Sequence, residues 1–127
     1  MMRRQDFTIP DSGWHITIYH DATPDRLGEV AASLLDTGES ARNVAEAISV
    51  LRIPNKGYTY TNYAGRVTVS IISYSTNACQ RANTIEHELK HIVEHLSTYY
   101  GVDPKSEQAA YLQGYVGARL VTFAYNR

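Results

Sequence analysis

The sequence predicts an α+β fold in a single domain, residues 1–127, with a small β-sheet and a β-hairpin packed beside one long amphipathic helix and a following C-terminal helix. Two observations carry this. Apolar residues alternate with polar ones in the period of a strand at 14–20 and again on either side of residue 65, and they follow helical spacing at 85–100. At 127 residues the chain is long enough for one hydrophobic core and too short for two ordinary domains.

In chain order, Trp14, Ile16 and Ile18 alternate with His15, Thr17 and Tyr19, which reads as a half-buried first strand. His15 and His20 then project to opposite faces. Thr23-Pro24-Asp25 has the form of a helix start, and Leu27, Val30, Ala31, Leu34 and Leu35 continue it until Thr37-Gly38. A second start at Ser40 leads through Val44, Ala45, Ile48 and Leu51 to a break at Ile53-Pro54-Asn55-Lys56-Gly57. Tyr58 to Tyr63 and Val67 to Ile72 flank Ala64-Gly65 and read as a hairpin, with Val67, Val69 and Ile71 facing the core and Thr68 and Ser70 facing out.

The stretch Thr84-Ile85-Glu86-His87-Glu88-Leu89-Lys90-His91 contains His-Glu-x-x-His. On a helix His87 and His91 lie one turn apart, roughly 6 Å along the axis, so both imidazoles can reach one metal ion. Glu88 lies about 100° around the axis, where its carboxylate can take a proton from a zinc-bound water. The helical context is supported by the surroundings. Thr84, Glu88, His91, Glu94, His95 and Thr98 share one polar arc, and Ile85, Leu89, Ile92, Leu96, Tyr99 and Tyr100 fall on the opposite one.

Tyr100-Gly101 should end this helix, with the glycine as a left-handed cap, and Asp103-Pro104 should start the next. Glu107, Tyr111, Gly114 and Ala118 would share a face of that helix, whose small residues allow close approach to its predecessor and bring Glu107 towards the histidines. Glu107 is therefore the expected third ligand to Zn²⁺. His95 is not, because it lies about 12 Å beyond His87 along a straight helix. For the developing oxyanion, Tyr111 and His95 are the candidate donors.

The motif His87-Glu88-Leu89-Lys90-His91, followed after a glycine turn by a helix carrying Glu107, resembles a minimal zincin of the gluzincin type. Residues 95–114 are also similar to small metallopeptidase-like domains of phages and gut bacteria. The resemblance spans roughly residues 84–117. It implies a zincin-like fold, Zn²⁺ held by His87, His91 and Glu107, Glu88 as general base, and a peptide or protein substrate.

Composition narrows the alternatives. A formal net charge of -1, with no Lys/Arg run interleaved with aromatics, argues against a nucleic-acid partner. The single cysteine, Cys79, fits a reducing compartment. Met1-Met2-Arg3-Arg4 leads into no apolar segment and no later run approaches membrane-spanning length, so a cytoplasmic protein without a membrane partner is expected. The competing reading is a non-catalytic binding or regulatory module on a zincin scaffold, with a structural or vestigial metal site.

Overall fold

A computed structural model describes residues 1–126. Strands β1 (Arg3–Ile9), β2 (Trp14–Ala22), β3 (Gly57–Asn62) and β4 (Val67–Ser73) form a four-stranded sheet in the order β1-β2-β4-β3. The two edge strands pair antiparallel with their neighbours, whereas β2 and β4 run parallel. Helices α1 (Leu27–Thr37) and α2 (Ala41–Leu51) follow β2, and α3 (Ala78–Tyr100) and α4 (Glu107–Tyr125) follow β4.

The sheet is covered on both faces. Trp14, Ile16, Ile18 and Ile72 pack with Ile85, Leu89, Ile92 and Leu96 of α3 and with Val116 and Leu120 of α4. From the other face Tyr19, Val69 and Ile71 meet Leu27, Val30 and Leu34 of α1 and Val44 and Leu51 of α2. This corrects the expectation that Thr68 and Ser70 face out: both are fully buried, on the side of β4 that α3 covers. A strand between two helical layers has no solvent side, so its polar alternation marks a polar seam in the interior instead.

Local signals account for most boundaries. Ser40 caps α2 through its side chain, which accepts from the Asn43 backbone N–H, and Gly38 and Gly101 end α1 and α3 in the left-handed conformation. The fourth helix starts later than Asp103-Pro104 suggests. The Asp103 carboxylate accepts from the Lys105 N–H and its carbonyl from Ser106, making a turn, and Ser106 then caps α4 by accepting from Ala109. Glu107 consequently occupies the first turn of α4, where the positive end of the helix favours a carboxylate.

Strand β1 has no counterpart in the sequence reading. It pairs along its whole length with β2, from Arg3 opposite His20 to Ile9 opposite Trp14. Its first residue also anchors the far end of the chain, because the Arg3 guanidinium donates to the carbonyls of Phe123, Ala124 and Asn126 while Arg81 donates to Ala124. Two cations therefore satisfy the unpaired carbonyls at the negative end of α4. Among the described residues no helix is long and apolar enough to cross a membrane.

His20 and His15 do point to opposite faces. His15 meets Asp6 and Thr8 near the surface, whereas His20 is buried against Phe123 with Nε2–H donating to the Gln5 side chain. Burial, reinforced by the charge of Arg3, lowers the His20 pKa to about 4. The unfolded chain takes up that proton near its ordinary value, so this contribution to stability is complete above about pH 6.5 and is lost as the pH falls towards 4. Urea unfolding at pH 7.5 and 4.5 should show His20→Gln losing about 2–3 kcal/mol less than the parent on acidification. Equal losses would mean that His20 is not held neutral by the fold.

Candidate metal centre

Helix α3 presents its polar arc to the β3 edge of the sheet, and this places the motif. Glu88 is only 2% exposed, and its Oε1 accepts from the Thr59 hydroxyl at 2.8 Å. Thr59 itself receives a hydrogen bond from Ser70, its cross-strand partner, at 2.7 Å. The direction is fixed by the carboxylate, which can only accept while ionised. Burial pushes the Glu88 carboxyl above its ordinary pKa, opposed by the Thr59 hydrogen bond and by the charges of His91 and His87.

Gly57, the first residue of β3, makes room for this carboxylate. A Cβ at that position would lie 2.5 Å from the Glu88 Cγ, Cδ and Oε2 atoms, closer than any real contact allows. Glu88 cannot step aside freely, because it is buried and hydrogen-bonded. Gly57→Ala should therefore destabilise the fold by about 1–3 kcal/mol, read as a lower urea midpoint. An unchanged midpoint would show that the carboxylate leaves its seat without cost.

His87 and His91 turn their Nε2 atoms towards each other at 3.2 Å, with ring centroids 4.8 Å apart. Two nitrogens each about 2.0–2.1 Å from a tetrahedral zinc ion stand roughly 3.3 Å apart, so the pair fits a shared metal. The His87 Nε2 lies 4.0 Å from Glu88 Oε2, and the His87 side chain is 67% exposed against 2% for Glu88. A solvent-facing nitrogen pair thus borders a buried carboxylate. A cleft of about 250 Å³, lined by residues that include Asn55, Lys56, Gly57 and Asn83, opens beside His87 and Glu88.

The remaining sequence candidates lie elsewhere. Among the described residues no group of three or more His, Cys, Asp or Glu side chains stands together so as to hold a metal ion. Glu107 is exposed at the start of α4. Helices α3 and α4 pack through Val116 and Leu120, and Gly117 sits against Leu89, where an added Cβ would approach Leu89 Cδ2 to 3.0 Å. With Gly117 level with Leu89, Glu107 stands roughly 15 Å along α4 from that contact, towards the C-terminal end of α3. Tyr111 is 76% exposed, and Gly114 has nothing within 4 Å of where its Cβ would be. The small residue that permits close approach is Gly117, whereas Glu107, Tyr111, Gly114 and Ala118 are all exposed.

His95 is tied into the polar seam. Its Nδ1 lies 2.8 Å from the Thr61 hydroxyl, which lies 2.9 Å from that of Thr68, which accepts from the Trp14 indole at 3.0 Å. Burial lowers the His95 pKa, favouring the neutral ring. The sequence reading missed Thr59, Thr61, Thr68, Ser70 and Gly57 as parts of the site. Their signal was present as hydroxyls on alternate positions of two paired strands, legible only once α3 is known to cover that face. No family model, curated protein or solved structure matches the chain.

Proposed function

We propose that the protein is a zinc-dependent peptidase of zincin-like architecture, in which His87 and His91 hold the metal and Glu88 is the general base. The observation that carries this reading is the 3.2 Å Nε2 pair standing beside a buried carboxylate with a raised pKa. Zinc, when bound, supplies a Lewis acid that lowers the pKa of coordinated water towards neutrality. Glu88 accepts the proton of the attacking water as its oxygen adds to the peptide carbonyl carbon. It returns that proton to the amide nitrogen as the C–N bond breaks, so the carboxylate is regenerated. A base shifted upward from the usual carboxylate range is better matched to this exchange near neutral pH. The Thr59 hydroxyl and the wall at Gly57 hold it in place for each transfer.

Glu88→Gln keeps the shape and removes the proton acceptor. The variant should bind zinc within about two-fold of the parent and lose at least about a thousand-fold in peptide hydrolysis, whereas His87→Ala and His91→Ala should lose the metal. Retained hydrolysis by Glu88→Gln would remove it as the base, and loss of zinc would make it a ligand.

A second reading, a non-catalytic module on the same scaffold, is favoured by one observation: no third metal-binding side chain stands with the histidine pair among the described residues. The two readings differ over Glu107. The peptidase reading draws it in as third ligand when metal binds, which requires the first turn of α4 to move. Zinc titration should then show Glu107→Ala weakening affinity by more than about ten-fold and His95→Ala by little. If Glu107→Ala binds zinc as the parent does and no peptide is cleaved, the non-catalytic reading holds.

A further inference from the structure

We propose that a one-way chain of hydroxyl hydrogen bonds, starting at the Trp14 indole, locks His95 as the neutral Nε2–H tautomer, and that this N–H is the donor offered to the substrate carbonyl oxygen. The second half rests on the peptidase reading; the first does not. The indole nitrogen can only donate, so Thr68 Oγ1 is an acceptor there. Thr68 is fully buried, and its other side-chain partner among the described residues is Thr61, its cross-strand neighbour. Its single hydrogen therefore goes to Thr61 Oγ1. Thr61, also buried, has its own hydrogen left for His95 Nδ1.

Nδ1 is thus the acceptor, and the proton of the neutral ring sits on Nε2. Reversing the chain would leave Thr68 accepting twice, with its own hydrogen unplaced in the interior. The paired arrangement is the one in which every hydroxyl is used. On the opposite edge of the ring, Nε2 takes no hydrogen bond from the described residues and is not among the buried atoms left without a partner, so it is open to solvent. His95 is one turn beyond His91, with ring centroids 6.4 Å apart, on the same helical face as the metal pair. A rigid donor at that place is what a developing oxyanion requires, and the exposed Tyr111 does not supply one.

The parallel with Glu88 strengthens the assignment. Two adjacent cross-strand pairs, Ser70 with Thr59 and Thr68 with Thr61, each pass a hydrogen to one residue of α3. One orients the base and the other orients the donor. Trp14, Thr68 and Thr61 are positioning residues in this scheme, and His95 is a catalytic one.

Long-range ¹H–¹⁵N correlation spectra of the zinc-free protein at neutral pH should show the His95 proton on Nε2, and Thr61→Val should let the tautomers mix with zinc affinity unchanged. A proton on Nδ1 in the parent overturns the proposal. In the zinc-loaded protein, acetohydroxamate serves as a small metal-anchored oxyanion. His95→Leu should bind it about ten-fold more weakly, and His95→Gln, which restores an N–H, should recover most of the loss. Equal binding by His95→Leu overturns the donor role even if the tautomer is as stated. Failure of the zinc-loaded parent to cleave peptides overturns the donor role together with the peptidase reading, and the spectrum still decides the tautomer. A chain that takes up no zinc overturns the donor role together with that reading, and the spectrum then decides the tautomer.

Discussion

The burial of Glu88 between α3 and β3 is the constraint on which the arrangement of the site depends. A carboxylate at 2% exposure is tolerated only with hydrogen-bond partners and a closely fitted seat, and here Thr59 supplies the first and the missing side chain of Gly57 the second. Because Thr59 is paired with Ser70 across the hairpin, the seat is built into the strand register. A slip of β3 by one residue would turn Thr59 and Thr61 to the opposite face and leave the carboxylate unpaired. Helix, hairpin register and carboxylate position are consequently one structural unit.

The two-sided covering of the sheet explains why that unit lies where it does. With β2 and β4 parallel in the middle, the chain between them has to cross over, and α1 and α2 occupy one face while α3 and α4 take the other. The hairpin leaves β3 as the edge strand beside the polar arc of α3. Apolar contacts from Ile85, Leu89, Ile92 and Leu96 hold the opposite arc to the core, so the helix cannot rotate to take Glu88 into water without exposing them.

Residues with a local signal were legible in the sequence. Ser40, Gly38 and Gly101 act where their cap chemistry puts them, and the strand from Trp14 and the hairpin about Ala64-Gly65 form as their alternation implies. His87, Glu88 and His91 could be assigned to one helical face because helix geometry alone relates them. What failed depended on layers not visible in a local window. Strand β1 has no clear signal because Arg3, Gln5 and Asp6 dilute the alternation of Phe7 and Ile9; Gln5 meets the Arg119 carbonyl of α4, and Asp6 pairs with Thr17 across the strand and with Arg4 on its own. Thr68 and Ser70 read as outward-facing because a polar residue on a strand is buried only if the other face also meets polar groups. The start of α4 was misplaced by two competing caps, Asp103 before proline and Ser106, of which the second forms the helix.

The polar seam also has an energetic meaning. The face of β3 and β4 under α3 carries Thr59, Thr61, Thr68 and Ser70 where apolar side chains would bury more hydrocarbon, and four hydroxyls contribute little net stability beyond satisfying one another. Elsewhere the same helix packs Ile85 and Ile92 almost completely buried, so an apolar contact is within its reach. A core that forgoes hydrophobic area at one seam, and there fixes a carboxylate and an imidazole of one helix in defined hydrogen-bonded orientations, departs from the apolar packing of the rest of that helix. Such local departures are expected at functional sites, where orientation is needed more than stability. The seam lies beside the His87–His91 pair, so the ordered groups and the nitrogens proposed to hold a metal share one face of α3, organised from the interior outward.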